Sequence, residues 1–187
     1  NLYDDANQVF DETTNYDYFG QSIQGTDIDG DGDDDLFVAS PGNDEEANGA
    51  GCLTILNGST DIITDGDYVW EMDDLDFYFD YNNASICSET ENARLGWNSG
   101  TTFGDFNADG LTDMAIAGPA ANLVFVFFDA ASLMGQPHIA EEDADVVITG
   151  TEGLFGYGLV AGDFNGDGAD DLAVGSPYIE DPINALF

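Results

Sequence analysis

Short apolar runs separated by glycine- and acid-rich turns set the pattern of this chain. Residues 36–39, 114–117 and 172–175 are apolar or small runs bounded by turn chemistry, the signature of strands buried on both faces. A second strand is predicted after each, at Cys52–Leu56, at 123–128 and at 183–187. Residues 145–148 read as a further strand ahead of the third run, and Tyr68–Glu71 as its weaker counterpart in the first unit. Residues 9–10 read as the end of such a strand from an earlier unit. No segment longer than a turn or two has helical periodicity, and 23 glycines suit many tight turns. The pattern predicts an all-β protein.

The runs belong to a repeat. FGQSIQGTDIDGDGDDDLFVASP (19–41), LGWNSGTTFGDFNADGLTDMAIAGP (95–119) and FGYGLVAGDFNGDGADDLAVGSP (155–177) align along their length. Each opens on a large apolar residue and Gly, passes a short strand, enters D-x-[DN]-x-D-G-x-x-D, and leaves through an apolar run to Pro. The first Asp of the loop falls at 27, 105 and 163, spacings of 78 and 58. A fixed motif on a drifting period indicates units whose outer connections vary in length.

The nine-residue loop has the chemistry of a calcium site. Calcium takes six to eight oxygens at about 2.3–2.6 Å. Carboxylates at positions 1, 3 and 5 converge only if the chain curls tightly, which Gly32, Gly110 and Gly168 permit at position 6. Position 7 offers its carbonyl, and the Asp at position 9 closes the cage. The expected ligands are Asp27, Asp29, Asp31, Asp33 (carbonyl) and Asp35; Asp105, Asn107, Asp109, Leu111 (carbonyl) and Asp113; and Asp163, Asn165, Asp167, Ala169 (carbonyl) and Asp171. Asp, Leu and Ala at position 7 suit a backbone ligand. Magnesium would demand a stricter octahedron, and zinc is disfavoured in loops without Cys or His. An EF-hand would need an acidic ligand at position 12, where Val38, Ile116 and Val174 stand, and helices on both sides.

Charge changes the picture. The 187 residues carry 39 acids against one basic residue, Arg94, for a formal charge of -38. Self-repulsion on that scale opposes compaction, so the fold should depend on cations. About three calcium ions would add only about six positive charges, so their action would be local. A chain without lysine cannot neutralise phosphates, which excludes nucleic acid and direct docking on an anionic membrane. No apolar run approaches the ~18 residues of a membrane span. The first residues lack the basic and apolar regions of a signal peptide, as expected of a mature or partial chain. Such acidity points to a saline or calcium-rich exterior, such as that of a halophilic or marine microbe. Cys52 and Cys87 could form a disulfide or remain buried thiols. Asn57 and Asn83 each open a glycosylation sequon.

The three units resemble the FG-GAP repeat of integrin α-subunit β-propellers and their bacterial and archaeal relatives. Phe19-Gly20, Leu95-Gly96 and Phe155-Gly156 match its "FG"; Ala39-Ser40-Pro41, Ala117-Gly118-Pro119 and Gly175-Ser176-Pro177 match its "GAP" with substitutions. The resemblance implies propeller-type blades, each with a structural calcium loop between its first two strands. It also implies an extracellular or cell-surface role in adhesion and ligand display. The single domain would divide into blade 1 at about 19–94, blade 2 at about 95–154 and blade 3 at about 155–187. Three blades should not close a ring. The blades are therefore expected to continue in a longer chain or in copies of itself.

The leading expectation is a non-catalytic, calcium-stabilised module that binds a protein or glycan. The alternatives are a subunit of a self-assembling filament, sheath or surface layer, and an accessory domain of a secreted hydrolase. Trp70, Phe77, Tyr78, Phe79 and Tyr81 lie in the long connection of the first unit and either bind a partner or cover the blade. His138, beside Pro137, reads as a solvated loop residue without a nucleophile partner.

Overall fold

The computed structural model describes residues 17–58 and 83–178, with the backbone of 8–11 and 68–71. Along the chain the elements are β1 (Gln8–Asp11), β2 (Ser22–Thr26), β3 (Asp35–Ser40), β4 (Cys52–Leu56), β5 (Tyr68–Glu71) and β6 (Ala84–Cys87). They continue with β7 (Thr101–Gly104), β8 (Asp113–Gly118), β9 (Leu123–Phe127), β10 (Pro137–Ile139), α1 (Ala140–Asp143), β11 (Val146–Thr149), β12 (Gly158–Gly162) and β13 (Asp171–Gly175). The protein is all-β, and α1 is a single turn.

The repeats become sheets. The first has the order β10-β6-β4-β3-β2, the second β11-β9-β8-β7, and the third pairs β12 with β13. The chain enters each sheet on β2, β7 or β12 and returns antiparallel on β3, β8 or β13. None of these sheets closes on itself among the described residues.

The sheets stack face to face, and the two-residue period of β8 and β9 shows how. Met114, Ile116, Phe125 and Phe127 pack with Phe37, Leu53, Ile55 and Ile86 of the first sheet. The alternate residues Ala115, Ala117, Val124 and Val126 point the other way, onto Leu159, Leu172 and Val174 of the third. The central strands β8 and β9 of the second sheet are therefore buried on both faces, while Val146 and Val147 of its edge strand β11 stay exposed. Each large buried side chain in these layers stabilises by about 1.5–3 kcal/mol. Phe37 and Phe103 add a tilted ring contact at 4.6 Å between the first two sheets.

The glycine of each "FG" pair donates its N–H to the end of its own unit's second strand: Gly20 to Ala39 O (3.0 Å), Gly96 to Ala117 O (2.8 Å) and Gly156 to Gly175 O (2.9 Å). Cys52 and Cys87 face each other across β4 and β6 and form a disulfide.

Several expectations change. The fourth strand of the first sheet is β6, whereas Tyr68–Glu71 pairs in parallel with β1 in a separate ribbon. Ala-Ser-Ile-Cys is too short and too mixed to announce a strand; only its pairing with β4 on one side and β10 on the other makes it one. Strand β13 was expected to be buried on both faces, yet Ala173 and Gly175 are exposed, because the described residues pack against one face only. Strand β10 comes from the second unit but pairs with β6 of the first sheet, a crossing the repeat pattern does not foresee. The strand at 183–187 and the side chains of Trp70, Phe77, Tyr78, Phe79 and Tyr81 lie outside the described residues.

Candidate metal centre

Each acidic loop occupies the connection between the first two strands of its sheet: 27–35 between β2 and β3, 105–113 between β7 and β8, and 163–171 between β12 and β13. Strand pairing brings the two ends of each loop together, as in Thr26 opposite Asp35. The positive φ of Gly32 (100°), Gly110 (87°) and Gly168 (96°) turns the chain at position 6.

All three loops share one ring of hydrogen bonds. Oδ2 at position 1 accepts from the position-6 amide, in Asp27–Gly32 (3.1 Å), Asp105–Gly110 (2.9 Å) and Asp163–Gly168 (3.0 Å). Position 3 accepts from the amide of position 5, in Asp29–Asp31 (3.1 Å), Asn107–Asp109 (2.9 Å) and Asn165–Asp167 (2.8 Å). Position 5 accepts from position 7, in Asp31–Asp33 (2.9 Å), Asp109–Leu111 (2.8 Å) and Asp167–Ala169 (3.0 Å). Position 9 reaches back to the amide of position 2, in Asp35–Ile28 (2.9 Å), Asp113–Phe106 (2.8 Å) and Asp171–Phe164 (3.1 Å). These bonds fix where each carboxylate points while leaving lone pairs free.

Position 9 also anchors the fold. Asp35 and Asp113 are 1% and 0% exposed, and their other oxygens accept from Gly58 N (2.8 Å) and Asp129 N (3.0 Å) beyond the third strand of each sheet. Burial pushes both carboxyls above the usual range against the pull of these amides; Asp29 and Asp31 push Asp35 further, as Asp109 does Asp113. No lysine exists to offset this crowding, and Arg94 lies over the Trp97 ring, 5.1 Å from its centroid.

In the first loop, oxygens of Asp27, Asp29 and Asp35 lie within 4.8 Å of one another. Oxygens on opposite sides of a calcium ion are separated by about twice the metal–oxygen distance of 2.3–2.6 Å, so this trio fits the ion. The Asp31 carboxylate lies outside it. Asn57, which no loop pattern would single out, donates Nδ2 to Asp29 Oδ2 (3.0 Å) and so anchors one member of the trio. The second and third loops have Asn107 and Asn165 at position 3, and among the described residues no such trio of carboxylates forms there. Instead Asn107 Nδ2 donates to Asp109 (2.9 Å) and Asn165 Nδ2 to Asp171 (3.3 Å).

Two side chains are placed differently from expectation. His138 is buried at 9% exposure, with Nε2 facing Leu133 O (3.0 Å) and Nδ1 facing Asp143 Oδ2 (3.1 Å). It pins the β10 connection and is no solvated loop residue. Asn57 and Asn83 are both 5% exposed, and Asn83 Oδ1 accepts the amide of Asn57 (3.2 Å), so these sequons face inward.

A family model, the FG-GAP repeat, matches residues 19–56 and 155–178, which span the first and third loops. The chain carries FG-GAP repeats. The second unit, with Leu95-Gly96 for Phe-Gly, lies outside the matched residues. FG-GAP relatives extend over most of the sequence. A phosphatidylinositol-glycan-specific phospholipase D of Dictyostelium discoideum is 30% identical over 177 residues, 87% of this chain and 18% of that protein. Integrin alpha-PS5 of Drosophila melanogaster is 30% identical over 175 residues, 87% of this chain and 15% of the integrin. The human phosphatidylinositol-glycan-specific phospholipase D is 26% identical over 179 residues, 87% of this chain and 19% of that protein. The chain thus spans less than a fifth of the length of these curated relatives. The FG-GAP strands and loops described above make the shared part an integrin α-like, propeller-type array of sheets.

Proposed function

We propose that this chain is a non-catalytic, extracellular or cell-surface β-propeller module, fastened by calcium in its acidic loops, that presents a surface to a protein or glycan ligand. The observation that carries the calcium reading is the convergence of Asp27, Asp29 and Asp35 in a loop with no basic side chain to balance them. The recurrence of the same hydrogen-bond ring at 105–113 and 163–171 extends it to about three ions. Side-chain oxygens at positions 1, 3, 5 and 9 and the carbonyls of Asp33, Leu111 and Ala169 would hold the ions. Calcium would supply charge neutralisation where each pair of strands meets, and no reaction.

The similarity to integrin α subunits supports adhesion or ligand binding at a cell surface, and the Cys52–Cys87 disulfide suits an oxidising exterior. No helix among the described residues is long and apolar enough to cross a membrane. The phospholipase D relatives favour a second reading, an accessory module within a longer secreted hydrolase. A catalytic domain in the full-length product would select it.

Thermal unfolding with and without a calcium chelator, beside titration with calcium and magnesium, tests the central claim. Calcium that binds only the folded state must add about 2.7 kcal/mol of stability at a hundredfold excess over Kd and so raise the midpoint. An unchanged midpoint would defeat the reading.

A further inference from the structure

The second and third loops are joined by a pair of bonds that the first lacks. Asp170, at position 8 of the third loop, accepts the amide of Asp105 on Oδ2 (2.9 Å) and donates its own amide to Asp105 O (2.8 Å). Asp105 is position 1 of the second loop. Its peptide is therefore gripped from both sides by a residue lying between Ala169 and Asp171, two of the expected ligands of the third loop. The approach depends on Gly104. A Cβ there would lie 2.8 Å from Asp170 Oδ2 and 3.1 Å from Ala161 Cβ.

Between the first and second loops neither half of this device exists. Thr26 stands where the second unit has Gly104, and Thr112 stands where the third has Asp170. Among the described residues, Gln24 Nε2 to Thr101 O (2.8 Å) bonds these two sheets away from the loops, and no hydrogen bond joins loop 27–35 to loop 105–113.

We propose that Asp170 is a positioning residue that couples the second and third loops, so that calcium in either raises the affinity of the other while the first loop binds independently. The inference rests on the calcium reading above. Asp105 must aim its carboxylate at its own ion while its amide and carbonyl are held by Asp170. Ordering either loop therefore orders the joint between them, and by linkage the effect is reciprocal.

Calcium titration of the full chain, followed at the amide resonances of Gly32, Gly110 and Gly168, reads each loop separately. Asp167→Ala, which disables the third loop at an exposed ligand, should weaken the second loop by about fivefold or more, and Asp109→Ala should weaken the third by the same factor. Neither should alter the first. In an Asp170→Ala background, which removes the side-chain half of the grip and leaves only the backbone bond to Asp105 O, these cross-effects should shrink at least severalfold, whereas Asp170→Asn, which keeps a carbonyl acceptor, should retain them. With Asp109→Ala, calcium in the third loop should still slow hydrogen exchange at the Asp105 amide, and Asp170→Ala should remove that protection. Should Asp170→Ala not fold, the Asp167→Ala and Asp109→Ala titrations decide alone. Independent binding by the three loops overturns the coupling and leaves the calcium reading intact. Uptake by no loop overturns both.

Discussion

Gly156 lies against Ala117 so closely that a β-carbon on the glycine would sit 2.6 Å from the alanine Cβ. Ala117 also accepts the amide of Gly96 in its own unit, so one residue serves both its own sheet and the start of the next. Gly96 meets Ala39 in the same way, at 2.7 Å. The "FG" of one unit therefore fits the "GAP" of the unit before it.

Gly156→Ala should then cost about 2–5 kcal/mol, the sum of overpacking and a strained positive φ of 93°. Gly110→Ala has a similar φ of 87° but open space around the new methyl, and should cost about 1–2 kcal/mol. Denaturant unfolding of both variants in chelator measures the difference, and equal losses would count against the joint.

The two roles inside a loop should separate by mutation. Asp113→Ala strands the amides of Phe106 and Asp129 in the interior and should destabilise the ion-free chain by about 2–4 kcal/mol. Asp109 is exposed, so Asp109→Ala should cost under about 1 kcal/mol in chelator yet reduce the stabilisation that calcium brings. Paired melts with and without calcium distinguish the two. A large ion-free loss for Asp109→Ala would contradict the assignment.

Glu141 gives the chain an acid-sensitive joint between the first two sheets. Burial pushes its carboxyl up, but donation from Ser88 Oγ (2.5 Å), the Glu89 amide (3.0 Å) and Thr90 Oγ1 (2.8 Å) outweighs it and holds the group below its usual value. A depressed folded pKa contributes stability that is full above the unfolded value of about 4.3 and is lost as pH falls through the folded one. The stability gap between the unaltered protein and Glu141→Gln should thus be widest at neutral pH and narrow in acid. A gap independent of pH would refute this.

Reduction should weaken the first sheet. Closing the 35 positions between Cys52 and Cys87 restrains the unfolded chain, which loop-entropy arguments put at about 3–4 kcal/mol. Replacing both cysteines by serine should lower the unfolding midpoint accordingly, with calcium uptake by the second and third loops preserved.

The sequence by itself determined the repeat, the three inner strand pairs and the loops between them. Those features rest on local rules: alternation, glycine at a forced turn, and carboxylates at ligand spacing. It could not place β6, because Ala84–Cys87 has no strand signal apart from β4 and β10 on either side of it. It read His138 as solvated because nothing local announces the Leu133 carbonyl and Asp143 carboxylate that enclose it. Asn57 and Asp170 belong with these. Each acts on a loop distant in sequence, Asn57 on Asp29 and Asp170 on Asp105. Only the stacking and pairing of sheets brings such residues within hydrogen-bond reach. Local chemistry wrote the loops, and tertiary packing decided which residues hold them and which loops touch.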